Sequence, residues 1–165
     1  MTSVFTEVMR GNEVASQGSE LMQCKLNPLT GAFEMNAVAE AIGSEFPRID
    51  QRRQGQRHGF TTLMKGVEGE AYRGLNQVLR VDHDNQSTEA YAFGASEMAE
   101  EHVFVPDPAS DKEGQGWLIG TSLDFERNTS SLNVFNAERL ADGPVAVMEM
   151  DYVIPLGLHG NFYAS

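Results

Sequence analysis

Hydrophobic residues make up 41% and charged residues 22% of the 165 positions, an ordinary balance for one globular domain or part of one. The formal net charge of −12, from 12 Lys+Arg against 24 Asp+Glu, excludes a general nucleic-acid binder and a protein held on anionic lipid by charge, since both need cations. A single cysteine, Cys24, excludes an internal disulfide and any multi-thiolate zinc or iron–sulfur site. No apolar run reaches the roughly 18 residues of a membrane-spanning helix. The first eleven residues contain Glu7 and Arg10 and no apolar leader core, so the expected compartment is the cytoplasm and the sequons at Asn85 and Asn128 carry no weight.

In chain order, the pattern is mostly β. Leu21–Leu26 and Ala32–Val38 flank Asn27-Pro28-Leu29-Thr30-Gly31, a turn between two strands. Ala37–Ile42 reads as a short helical turn bounded by Gly43 and Pro47. Phe60–Met64 is a short apolar run. Gln77–Val81 alternates, passes through the polar turn 82–87 and returns as Thr88–Phe93, a second hairpin. His102–Val105 is ended by Pro106 and Pro108. Trp117–Leu123 and Leu132–Phe135 flank the polar tip Asp124–Ser130, Val145–Met150 alternates, and Ile154–His159 follows as a last run. Turns at Asn27, Asp84 and Glu126 recur every forty to sixty residues or so, compatible with propeller blades but also with a β-sandwich. At roughly 45 residues per blade the chain holds three to four, fewer than most closed propellers.

Four histidines, His58, His83, His102 and His159, are present without H-E-x-x-H spacing, a phosphate loop or a nucleophile elbow. Gly114-Gln115-Gly116 with Gly120 precedes a β run, so a turn is the better reading than a nucleotide loop. Arg48, Arg52, Arg53 and Arg57 form a basic cluster, read first as a solvated loop and second as a contact for an anionic partner, a lipid surface or a substrate carboxylate. The eight acids between Glu97 and Glu126 read as solvated loops. Cys24 is expected to be a buried inert thiol. His58 and His83 are expected at the surface and His102 in the core. His159 sits between Gly157 and Gly160, which let the backbone bend or approach closely. On composition alone it is a structural histidine more often than a ligand.

Four blocks, in order, resemble the carotenoid cleavage oxygenase family, which includes lignostilbene dioxygenases and the retinoid isomerase. They are Glu45-Phe46-Pro47-Arg48-Ile49-Asp50, then Glu101-His102-Val103-Phe104-Val105-Pro106, then Gly116-Trp117-Leu118-Ile119-Gly120 with Leu132–Leu140, and finally Pro155-Leu156-Gly157-Leu158-His159-Gly160-Asn161-Phe162. The resemblance covers roughly residues 20–163 and leaves 1–20 unplaced. His102 stands where relatives often carry proline. Arg57-His58-Gly59-Phe60 and the His102 block lean toward the bacterial stilbene-type branch.

The resemblance implies an all-β partial propeller, residues 21–165, forming roughly the last three blades of a seven-bladed one. It implies Fe(II) held by four histidines, with His159 matching the last ligand and Glu45 and Glu101 matching glutamates that orient ligand imidazoles. Neutral imidazoles suit Fe(II) and O2, and a carboxylate on the remote N–H fixes the tautomer. The other three ligands would lie upstream, and His58, His83 and His102 do not match them. The implied activity is oxidative cleavage of a C=C bond in an apolar conjugated substrate (carotenoid, apocarotenoid or stilbene) by O2. An apolar substrate implies peripheral membrane contact for its uptake. The rival reading is a catalytically inactive propeller fragment, at best a partner-binding β module. A third is an unrelated acidic β-sandwich, which predicts a cooperative monomeric fold of these residues alone.

Overall fold

The computed structural model describes residues 19–67, 74–157 and 159–163, so nearly all of the unplaced segment 1–20 lies outside the described residues. Strands dominate. The hairpin β1 (Glu20–Leu26) and β2 (Phe33–Ile42) comes first. A four-stranded meander follows: β3 (Ser44–Arg48), β4 (Phe60–Lys65), β5 (Gln77–Asp82) and β6 (Ser87–Ala92), hydrogen-bonded in that order. The second sheet has β9 (Gly116–Asp124), β10 (Thr129–Asn136) and β11 (Pro144–Met150) in sequence. Two short strands, β7 (Glu97–Ala99) and β8 (Val103–Pro106), share the free edge of β9. Every pair is antiparallel. Among the described residues, no helix is long and apolar enough to cross a membrane.

The three sheets stack, and the first meander is the middle layer. Alternation sends Met64 and Val78 toward the second sheet, where they join Phe104, Leu118, Phe135 and Leu140 in the larger core. Leu63, Leu79 and Val81 point the other way and meet Ala41 and Leu21 of the hairpin. This is why β4 buries four consecutive residues while the outer strand β11 is largely exposed. A strand covered on both faces is buried without alternation, and here Thr61 and Thr62 are buried along with Leu63 and Met64.

Three expectations change. The region 37–42 is strand, not a helical turn: β1 supplies ladder partners for it, with Met22 opposite Ala37 and Glu20 opposite Ile42. The chain then reverses at Gly43, whose φ of 75° suits glycine. Cys24 is exposed, because the outer half of the hairpin has no sheet over it. Residues 154–157 form no strand; Leu158 lies outside the described residues, and His159 follows in irregular backbone.

Two bulges sit in the edge strands of the two meanders. In β3, Glu45 faces Met64 and Arg48 faces Thr62, so three steps oppose two. Phe46, inside that bulge, has a φ of 56°, a left-handed conformation that a bulky residue holds only when its surroundings force it. Between β7 and β8, Ala99 faces Ser122 and Val103 faces Ile119, so four steps oppose three. Residues 100–102 oppose Gly120 and Thr121, one residue in excess.

Candidate functional site

The second bulge turns Glu100 and Glu101 toward the irregular segment 157–163. Glu100 accepts from the Gly157 N–H and from the Thr121 hydroxyl. Glu101 accepts from the Gly160 N–H at 2.8 Å. Two neighbouring carboxylates thus anchor the backbone on either side of His159. The His159 Nδ1 lies 3.2 Å from Glu101 Oε1, and a carboxylate only accepts, so Nδ1 carries the proton of the neutral ring. The Phe46 ring meets the imidazole edge to face at 5.5 Å, which gives the strained bulge of β3 a contact at the same place. Among the described residues nothing binds His159 Nε2, and the side chain is 61% exposed.

Glu101 is the centre of the cluster. Its side chain is only 4% exposed. Arg48 grips it with both arms of its guanidinium, Nε to Oε1 at 2.7 Å and Nη2 to Oε2 at 2.8 Å. Burial works against the Glu101 charge, yet the bonds from Arg48, Gly160 and His159 prevail and hold its pKa below the ordinary glutamate range. The bond to Glu101 likewise raises the Arg48 pKa.

Beyond Glu101, a cavity of about 240 Å³ opens between the segment 157–162 and the outer face of the second sheet. Val103, Val105, Ile119, Leu132 and Phe162 give it an apolar wall, with His159 at its edge. The described residues contain no group of three or more His, Cys, Asp or Glu side chains able to hold a metal. One imidazole with a fixed tautomer and an unengaged Nε2 fits one ligand position of a metal site, with the other donors supplied from elsewhere.

The structure therefore brings Glu101 and His159 together. Glu45 lies on the same strand as Arg48 but is exposed, and no described residue pairs with it. Arg48 and Glu100 enter as additional members. Sequence reasoning left Arg48 in a solvated basic loop. Instead Arg48 pairs with Glu101 and Arg52 with buried Asp50, whereas Arg57, paired with Asp84, is solvated as expected. The signal for Arg48 was its place three residues after Glu45 in the same block. For Glu100 it was the Glu-Glu doublet.

His102, the third residue of the bulge, turns inward. It is 2% exposed, between the rings of Phe93 and Phe135, with Nδ1 donating to the Glu100 carbonyl at 2.8 Å. Its Nε2 is buried without a partner among the described residues. Burial lowers its pKa to about 4 against the carbonyl bond, which favours charge. The unfolded chain binds this proton below about pH 6.5 and the folded chain only near pH 4, so stability falls as pH drops through that window. Going from pH 7.5 to 5.5 is expected to remove about 1 kcal/mol through this group. Urea denaturation at both pH values, compared with His102→Phe, checks it. Parallel profiles in the two proteins would mean that the ring is not held neutral. His58 and His83 are half-buried rather than exposed, their rings 5.7 Å apart, with His83 on the Thr61 hydroxyl.

Comparison with known proteins extends the picture. Residues 2–164 match the family described as retinal pigment epithelial membrane protein. The lignostilbene-α,β-dioxygenase isozyme III of Sphingomonas paucimobilis is 34% identical over 127 residues, covering 72% of this chain and 26% of that protein. The apocarotenoid-15,15'-oxygenase of Synechocystis is 24% identical over 143 residues, covering 87% of this chain and 29% of that one. The solved structure of cobalt-substituted Synechocystis apocarotenoid oxygenase superposes with a TM-score of 0.83 at 21% identity, covering 90% of this chain and 31% of that chain. The fold is thus part of the β-propeller of those structures. The chain spans roughly a third or less of the length of these relatives.

Proposed function

The chain belongs to the retinal pigment epithelial membrane protein and carotenoid cleavage oxygenase family, and on that premise we propose that it is the C-terminal part of a non-haem Fe(II) dioxygenase. The reaction would join O2 to a C=C bond of an apolar conjugated substrate and yield two carbonyl products. Relatives act on stilbene and apocarotenoid substrates by their names, and the 34% identity to a lignostilbene dioxygenase favours a stilbene. The observation that carries the reading is the Glu101–His159 contact, with Nε2 left for a metal beside an apolar cavity.

His159 would supply one of the imidazoles that hold the iron, and the remaining three would come from outside this chain. Fe(II), when bound, supplies the centre at which O2 reacts. Glu101 keeps the proton on Nδ1, so the Nε2 lone pair faces outward. Val103, Ile119 and Leu132 offer a surface to an apolar substrate. Glu45, exposed on an edge strand, would orient an imidazole from another part of the enzyme. Peripheral contact with a membrane would serve substrate uptake, and the cytoplasm is the proposed compartment.

These 165 residues alone would turn over nothing, since their described part contributes one imidazole to a set of four. The test is a chimera in which this chain replaces the matching part of the Synechocystis oxygenase. One iron per chain and cleavage of the apocarotenoid are expected. His159→Ala is expected to lower both iron content and turnover, the latter at least about a hundredfold. Full iron occupancy in His159→Ala would overturn the assignment of His159.

A further inference from the structure

Arg48 makes four contacts that no other side chain could combine. Its Nε and Nη2 meet the two oxygens of Glu101 at 2.7 and 2.8 Å. The same Nη2 donates to the Gly160 carbonyl at 2.6 Å, and Nη1 to Asn161 Oδ1 at 3.4 Å. The Gly160 N–H, in turn, donates to Glu101 Oε2. The residue after His159 is therefore held at both its N–H and its C=O by one ion pair. Arg48 comes from the first meander and Glu101 from the second, so this pair also sets the position of one sheet's edge against the other.

A carboxylate held only by His159 and the Gly160 N–H would remain free to rotate about its terminal torsion, which is broad. The planar fork of Arg48 removes that freedom, because two parallel bonds fix the plane of the carboxylate. Oε1 then points at His159 Nδ1 and Oε2 at Gly160 N.

We propose that Arg48 is a positioning residue of the site: through Glu101 and Gly160 it fixes the orientation and tautomer in which His159 presents Nε2. This rests on the reading of His159 as a metal ligand. Arg48 itself touches neither the imidazole nor the apolar cavity. Lysine at this position would keep the charge and lose the fork.

The test uses the full 165-residue chain without metal, as wild type, Arg48→Lys, Arg48→Met and, as a matched control, Arg52→Lys. Arg52, four residues further on, grips Asp50 with the same fork. Long-range 1H–15N spectra read the tautomer of His159, and hydrogen exchange reads the Gly160 amide. Wild type is expected to show the Nδ1–H tautomer. Arg48→Lys and Arg48→Met are expected to show a mixture, with Gly160 exchange faster by roughly tenfold to a hundredfold, the scale of one charge-assisted hydrogen bond. Arg52→Lys is expected to match wild type at both probes. The proposal is overturned if a folded Arg48→Lys keeps the single tautomer and exchanges Gly160 within about twofold of wild type. It is also overturned if both Arg48 variants lose the dispersed amide spectrum while Arg52→Lys keeps it, because Arg48 would then be a strut of the fold. A wild-type chain already in the Nε2–H tautomer would refute the Glu101–His159 reading itself, and this inference with it. A mixture confined to the Arg48 variants separates the two.

Discussion

Glu101→Ala is expected to destabilise the chain by about 3 kcal/mol, at the low end for a broken buried ion pair because Arg48 keeps some access to water. The variant removes the acceptor for Arg48, for the Gly160 N–H and for His159 at once. Most of the loss comes from what remains, a guanidinium packed between two sheets without its counter-charge. Adding Arg48→Met to Glu101→Ala is therefore expected to cost little more than the single change, since it removes the stranded cation. Glu101→Gln, which keeps an acceptor and the shape, is expected to fall between wild type and alanine. Urea denaturation of the four proteins is the measurement. A Glu101→Ala midpoint indistinguishable from wild type would show that the pair contributes nothing to the fold.

Gly120→Ala is expected to cost about 3 kcal/mol or more, by collision rather than by loss. A Cβ at position 120 would lie 2.5 to 2.7 Å from three atoms of the His102 ring, well inside van der Waals contact. The ring cannot withdraw. Phe93 and Phe135 flank it, and its Nδ1 is tied to the Glu100 carbonyl. Relief would have to come from the backbone of residues 100–102, and overpacking of this kind costs from 1 to about 3 kcal/mol and sometimes more. Because Glu101 belongs to that same stretch, the Glu101–His159 contact is expected to loosen as well. His102→Ala in the Gly120→Ala background opens the occupied space. The double variant is expected to be more stable than the sum of the singles by about 1–3 kcal/mol. Thermal or urea unfolding of the four members of the cycle checks this, and strict additivity would mean that the ring is not the obstacle.

Much of this architecture is legible in the residues. The Asn27–Gly31 turn, the turn after Asp82 and the tip after Asp124 each carry an Asn or Asp side chain that accepts from backbone N–H groups two and three residues on. Alternation then marks the strands on either side. The short stretch 37–42 misleads because its alanines favour helix, a preference that pairing with β1 overrides. Cys24 misleads because an apolar strand suggests burial, whereas burial depends on whether another sheet lies over it. Glu101 and His159 were each singled out through motifs, but their contact was not. The bulge that creates it leaves no periodic trace, since a single extra residue shifts the pattern without breaking it. Arg48 was hidden for a different reason. A run of arginines in an acidic chain looks like a solvated face, and the partner that buries Arg48 is 53 residues away.

That separation bears on the order in which the chain folds. Most strands, β7 apart, pair with a neighbour in sequence, so these pairings close at little entropic cost. The cluster at Glu101 is the opposite. It joins residues 53, 59 and 112 positions apart. It can close only after both meanders have formed and docked, and after the segment carrying His159 has reached them. The site is thus expected to assemble last, its geometry inherited from the docking of the sheets rather than found by the imidazole itself.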